Sequence, residues 1–322
     1  MFIWLEDLIW LLVEVVFKLE RSSRLAESVH FFFYDVIKIL ILLSMMIYLI
    51  SYIRSYFRPE KTRKIISKFN GITANLMGSL LGIVTPFCSC SSVPLFIGFV
   101  EGGVPLGVTF SFLITSPIVN EAAFIILLAS MGIKVAVLYV ICGVLIGTIG
   151  GYLIGRLKLE KYVEEYVWKL HSGNVDLQAF TQKQRFQFAG QQLSEIISRI
   201  WLYLLIGIGI GAVIHGWAPE NLLAQYAGPD NPFAVIVAVI AGIPLYSNAM
   251  GAIPIVEALI GKGVGLGTAL SFLMAVTALS LPEMIILRKV IKPRLIAAFL
   301  IITGLGIILV GYLFNSIYQY LI

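Results

Sequence analysis

The sequence predicts an all-α polytopic membrane protein made of two inverted structural repeats, each with three transmembrane helices and a broken, re-entrant hairpin. Three observations lead there. Hydrophobic residues fill 59% of the 322 positions and charged residues only 13%, against about half and about a quarter in a soluble domain. Apolar runs such as 37–53, 135–153, 200–214 and 295–313 match a helix crossing a hydrocarbon core about 30 Å thick, and none alternates with the period of a barrel strand. Finally, a shift of 160 residues, which carries Pro94 onto Pro254, superimposes two long segments without a gap. It places Gly82-Ile83 on Gly242-Ile243, Gly103-Val104 on Gly263-Val264, Leu106-Gly107 on Leu266-Gly267 and Ser111-Phe112-Leu113 on Ser271-Phe272-Leu273. Paired Pro and Gly positions set this apart from the chance matching of Gly- and Leu-rich membrane sequence.

In chain order, residues 1–29 read as an interfacial helix that stays on the protein. Glu6, Asp7 and Glu14 interrupt its apolar stretch and no basic leader precedes it, which argues against a cleaved signal peptide. Residues 30–156 form repeat 1, 157–190 a polar connector, and 191–322 repeat 2. Each repeat has a first helix (about 30–57 and 192–217) and a Gly/Pro-interrupted segment (about 72–100 and 232–260). Two more helices follow in each (105–130 with 135–156, and 265–288 with 294–316).

The net charge of +5 does not point to nucleic acid, because the basic residues lie in short inter-helix segments and not along one soluble face. Arg54, Arg58, Lys61, Arg63, Lys64 and Lys68 follow the first helix. Arg156, Lys158, Lys161, Lys169, Lys183 and Arg185 lie in the connector, and Arg288, Lys289, Lys292 and Arg294 separate the last two helices. The positive-inside rule puts all three groups in the cytoplasm of a multi-pass protein of the cell's inner (plasma) membrane. Four plain crossings per half would separate the first group from the second. A re-entrant hairpin leaves three crossings per half, which inverts the second repeat and leaves 217–230, free of Lys and Arg, outside. The competing arrangement is a parallel pair of four-helix halves with kinked spans.

Irregular backbone at membrane depth is tolerated where protein or a wet cavity surrounds it, so the breaks mark candidate sites. The first, between Pro86 and Pro94, carries Cys88, Ser89, Cys90, Ser91 and Ser92. Its repeat partner, between Pro244 and Pro254, sets Asn248 opposite Cys88 and Met250 opposite Cys90. Three cysteines, the third being Cys142, are too few for a disulfide framework. Thiolates and thioethers select soft ions and thiophilic metalloids, so Cys88 and Cys90 are candidate metal(loid) ligands, and Ser89, Ser91, Asn248 and Met250 candidate substrate contacts. The plainer reading is that Cys and Ser are small residues that let membrane helices pack closely.

Thr115-Ser116-Pro117-Ile118-Val119-Asn120-Glu121 forms a second group, with Ser280-Leu281-Pro282-Glu283 in the matching region. The same shift sets Glu121 on Leu281, two residues short of Glu283. Pro117 removes a helical donor. An intramembrane carboxylate is by default a functional hypothesis, so Glu121, beside Asn120, is a candidate proton carrier. The bland alternative is a structural hydrogen bond; Glu283 reads as a partner for Arg288.

On Pro86-Phe87-Cys88-Ser89-Cys90-Ser91, Thr115 to Glu121, and Gly242-Ile243-Pro244 through Asn248 to Pro254, the chain resembles the predicted-permease family that includes the ArsP organoarsenical exporters. The resemblance runs from about residue 30 to the C-terminus. It implies export of trivalent methylated or aromatic arsenicals with the cysteine pair at the site. The expected activity is that of a secondary permease working by proton-coupled alternating access. No Gly-x-x-x-x-Gly-Lys-Ser/Thr loop is present, so no ATP hydrolysis and no enzymatic activity are expected. A channel for a small ion, and an intramembrane transferase using Cys88, are the alternatives. The expected partners are the lipid bilayer, a small-molecule or metal(loid) substrate and, as a candidate, further copies of this chain; no cofactor and no nucleic acid are expected.

Overall fold

The computed structural model describes residues 3–21, 23–54, 71–84, 95–100, 103–119, 121–164, 167, 181–217, 231–245 and 249–321. Among them all extended elements are helices, and an isolated bridge joins Val163 to Ile291. The helices of the first half are α1 (Ile3–Val15), α2 (Arg24–Arg54), α3 (Ile72–Val84), α4 (Leu106–Ile118), α5 (Glu121–Met131) and α6 (Ile133–Arg156). Those of the second are α7 (Gln182–Trp217), α8 (Ala234–Gly242), α9 (Ala249–Gly261), α10 (Leu266–Ala278), α11 (Leu281–Leu287) and α12 (Pro293–Leu321).

Two helices start earlier than the apolar patterning places them, and both starts are capped. Ser23 Oγ accepts the Ala26 amide at 3.2 Å, opening α2. Thr181 and Gln184 form a reciprocal capping box that opens α7: Gln184 Oε1 accepts the Thr181 amide at 2.8 Å, while the Gln184 amide reaches Thr181 Oγ1 at 3.5 Å. Residues 182–190, read from sequence as connector, are therefore helical. The 105–130 helix is also two helices: α4 ends at Ile118 and the chain turns by 48° into the following helix. Pro117 lies in the last turn of α4, where its missing N–H leaves the Leu113 carbonyl without a helical donor.

Among the described residues, three helical runs (Ile133–Arg156, Leu266–Leu287 and Pro293–Ile317) are long and apolar enough to span a bilayer, or four with the bent α4–α5 pair. Their outward faces are apolar. On α6, Val137, Ile141, Leu145, Ile149 and Leu153 are exposed at every fourth residue, one stripe of a helix. The shift of 160 carries the last four of these onto exposed Ile301, Leu305, Leu309 and Leu313 of α12. Water is a poor solvent for two such stripes; hydrocarbon is a good one. Helix α1 buries Leu5, Ile9 and Val13 near Ala26 of α2, while Leu8, Leu11 and Val15 face outward.

The repeat seen in sequence recurs in geometry. Gly103 and Gly263 both have positive φ, +72° and +87°, which glycine adopts without penalty. Each closes the same turn: Gly103 donates to Val100 at 3.0 Å and Val104 to Phe99 at 2.9 Å, while Gly263 donates to Ile260 at 2.9 Å and Val264 to Leu259 at 3.0 Å. Glycines also set the crossings. A Cβ at Gly107 would lie 2.7 Å from the Gly151 carbonyl oxygen, and one at Gly267 would overlap the Gly311 carbonyl. Close backbone approach of this kind is how small residues pack membrane helices.

Helices related by the shift run in opposite directions where they meet. A Cβ at Gly306 of α12 would lie 3.0 Å from Ile146 of α6, and one at Gly150 would lie 3.4 Å from Ile302, so one sequence rises as the other falls. In α2 and α7, Tyr52 donates to Gln182 at 2.9 Å and stacks on Phe186 at 4.9 Å, whereas Phe32 approaches Gly209. The end of α6 is thereby beside the start of α12. There Lys292 N–H donates to the Tyr162 carbonyl at 2.7 Å and Glu164 N–H to the Val290 carbonyl at 2.9 Å. Arg288 pairs with Glu164 at 3.3 Å. Arg294 donates to the Tyr162 hydroxyl at 2.9 Å, which holds that phenol below its ordinary value. Two basic runs separated in sequence thus share one end of the molecule.

Candidate transport site

Two interruptions in each half are brought to the same level by glycine. At Gly82, near the end of α3, a Cβ would stand 3.1 Å from the Phe112 carbonyl oxygen; at the equivalent Gly242, the end of α8, it would stand 3.2 Å from the Phe272 carbonyl oxygen. Phe112 and Phe272 lie two turns before the breaks at Val119 and Leu279. These breaks are matched as well: Val119 donates to the Thr115 carbonyl at 2.8 Å and Leu279 to the Ala275 carbonyl at 2.9 Å. In the second half the two interruptions are joined directly, because Leu281 N–H, at the start of α11, donates to the Ile243 carbonyl at 2.8 Å.

Around these breaks the helices of the two halves meet. Helix α5, whose first residue is Glu121, packs against α9, which carries Met250; α4 packs against α10. Phe110 of α4 meets Phe299 of α12 with centroids 5.8 Å apart. The helices bearing two of the candidate residues are therefore neighbours. Pro86, Cys88, Ser89, Cys90, Ser91, Pro94, Asn120 and Asn248 lie outside the described residues, as do the side chains of Glu121, Met250 and Pro254. Pro244 occupies the turn after α8. Pro254 does not break a helix: it lies inside α9, where its missing N–H leaves one carbonyl, that of Met250, without a helical donor while the remaining bonds carry the helix on.

The structure also separates Glu283 from the partner that sequence reading gave it. Glu283 is 1% exposed, while Arg288 pairs with Glu164 of the connector. Ser280, 1% exposed and the N-cap of α11, makes no side-chain capping bond, although Ser280-Leu281-Pro282-Glu283 has the spacing of a capping box. That spacing was the legible signal; its failure to close was not. The first half differs. Tyr139, buried in α6, donates its hydroxyl to the Ile118 carbonyl at 2.9 Å, so the break there is sealed by a side chain from a neighbouring helix.

An all-helical chain with apolar outer stripes and paired broken helices meeting between two halves has the build of a polytopic membrane transporter. The chain belongs to the ArsP_1 family, described as predicted permeases, whose model matches residues 24–316. A Streptococcus mutans protein described as a subunit of a two-component membrane permease complex is 23% identical over 80% of this chain and 85% of that protein. The UPF0718 protein YraQ of Escherichia coli is 26% identical over 69% of this chain and 61% of its own length. A UPF0718 protein of Methanocaldococcus jannaschii is 23% identical over 75% of this chain and 79% of its own. No solved structure matches.

Proposed function

We propose that this protein is a secondary permease that exports a small thiophilic solute across the inner membrane, with trivalent organoarsenicals as the first cargo to test. The cargo sits between the two broken hairpins, on Cys88 and Cys90 of the first and near Asn248 and Met250 of the second. Access alternates as the halves, an inverted pair, rock about that centre. The observation that carries this reading is that helices equivalent under the repeat, α6 with α12 and α2 with α7, cross antiparallel, as an in-plane pseudo-twofold axis requires. The shared location of the connector and the 288–294 turn supports placing both in the cytoplasm. Glu121 would exchange the coupling proton.

Everted vesicles offered a trivalent methylarsenical test it. Cys88→Ser and Cys90→Ser should each abolish accumulation, and Glu121→Gln should remove its dependence on an imposed pH gradient. Accumulation untouched by both cysteine changes would sink the thiolate site. For the inverted arrangement, single cysteines at Gly102 and Gly261 should label from opposite faces of the membrane; labelling from one face would leave the parallel arrangement standing.

A further inference from the structure

We infer that the break between α10 and α11 is a binding site for a hard monovalent cation, Na⁺, made of backbone and side-chain oxygen atoms. The backbone supplies the first ligands. In an unbroken helix the Thr277 carbonyl would accept from Leu281 and the Ala278 carbonyl from Pro282. Leu281 N–H donates instead to Ile243, and proline has no N–H. Both carbonyls are left without helical donors at a depth where water does not replace them.

The side chains add to this set. Ser280 Oγ is buried and has no hydrogen-bond partner. Glu283, also buried, is three residues on, the spacing at which N-cap and N3 side chains reach the same helix end. Two carbonyls, a hydroxyl and a carboxylate are all hard oxygen donors, which suit alkali and alkaline-earth ions and not soft metals. One carboxylate balances one positive charge, which favours a monovalent ion over a divalent one.

The first half is the internal control. The shift of 160 relates Ala278 to Ile118 and Phe299 to Tyr139. Tyr139 donates to the Ile118 carbonyl; Phe299, fully buried at the matching place, has no hydroxyl to give. The oxygen that is capped in one half is open in the other. Ser280 and Glu283 have no counterparts of the same type either, since Asn120 and Ala123 stand there.

The site deepens the gradient-driven permease reading by supplying a second coupling ion, but binding can be measured without transport. The purified full chain in nanodiscs is titrated with NaCl replacing KCl or choline chloride at constant ionic strength and pH, reading thermal stability and equilibrium binding of ²²Na⁺. Wild type should show a saturable, Na⁺-selective upward shift. Ser280→Ala should raise the half-saturating concentration by about tenfold or more. Phe299→Tyr, which gives the Ala278 carbonyl the donor its counterpart has, should do the same while keeping the fold, and Glu283→Gln should remove binding. Absence of a Na⁺-selective shift in wild type, or identical titrations in wild type, Ser280→Ala and Phe299→Tyr, overturns the proposal. So does a shift that follows pH alone, which would make Glu283 a proton carrier only. Na⁺ binding retained by a protein that moves no arsenical would overturn the cargo assignment and leave this site intact.

Discussion

The two halves share a skeleton and differ in what glues it. In the first half the interfaces of α3, α4 and α6 are laced with polar side chains. Ser111 Oγ donates to Asn75 Oδ1 at 2.9 Å and Thr148 Oγ1 to Ser79 Oγ at 3.0 Å, all of them buried. At the positions equivalent to Asn75, Ser79 and Thr148 the second half has Val235, Val239 and Ile308. It is tied at the other end of its crossing, where Asn315 Oδ1 accepts the Gly267 amide at 2.7 Å and Asn315 Nδ2 donates to Thr268 Oγ1 at 3.1 Å. The shared part is the set of glycines. Crossing geometry is thus set by how closely backbones can approach, and polar bonds are interchangeable fittings on it.

That contrast is broken most severely at the shared part. Gly267→Val drives a side chain into the Gly311 carbonyl and should destabilise the protein by about 3 kcal/mol. Gly107→Val, against Gly151, should cost about 2 kcal/mol. Both are read as the temperature at which half the detergent-solubilised protein loses monodispersity, and tolerance of either would mean that the crossings are not backbone-limited. The left-handed turn comes next. Gly263→Ala meets no atom within 4 Å, but its φ of +87° strains any side chain, so it should lose about 1 kcal/mol. Gly261→Ala, equally open and with no positive φ, should stay within about 0.5 kcal/mol of wild type.

The polar lacing sharpens the comparison through a double-mutant cycle. Ser79→Ala alone leaves the buried Thr148 hydroxyl unpaired and should cost about 1 kcal/mol. Adding Thr148→Val, towards the apolar second half, should recover about 0.6 kcal/mol of that; strictly additive losses would show that the bond carries no coupling. Smallest is the exposed Arg288–Glu164 pair. Glu164→Gln should change stability by less than about 1 kcal/mol, an effect that disappears at high salt, because the backbone bonds between 162–164 and 290–292 remain.

Much of the fold was legible in the chain, for identifiable reasons. Apolar runs announce lipid-facing helices because hydrocarbon offers no hydrogen bonds, and the Pro94/Pro254 and Gly103/Gly263 pairs recur because turns of that kind admit few residue types. Helix starts were placed late where polar residues precede the apolar run, since Ser23 and Thr181 act through capping and not through hydrophobicity. The break after Ile118 was hidden because Pro117 is compatible with either a kink or an end.

The sequence by itself determined that this is a duplicated, membrane-embedded helical protein, and it singled out the broken segments, because composition, periodicity and proline are local properties. Only the tertiary structure decided which carbonyls lack donors. Tyr139 and Phe299 look alike in a list of apolar positions, yet one hydroxyl, brought from another helix to the Ile118 carbonyl, separates a sealed break from an open one. That difference depends on where distant residues meet, which no single stretch of chain encodes.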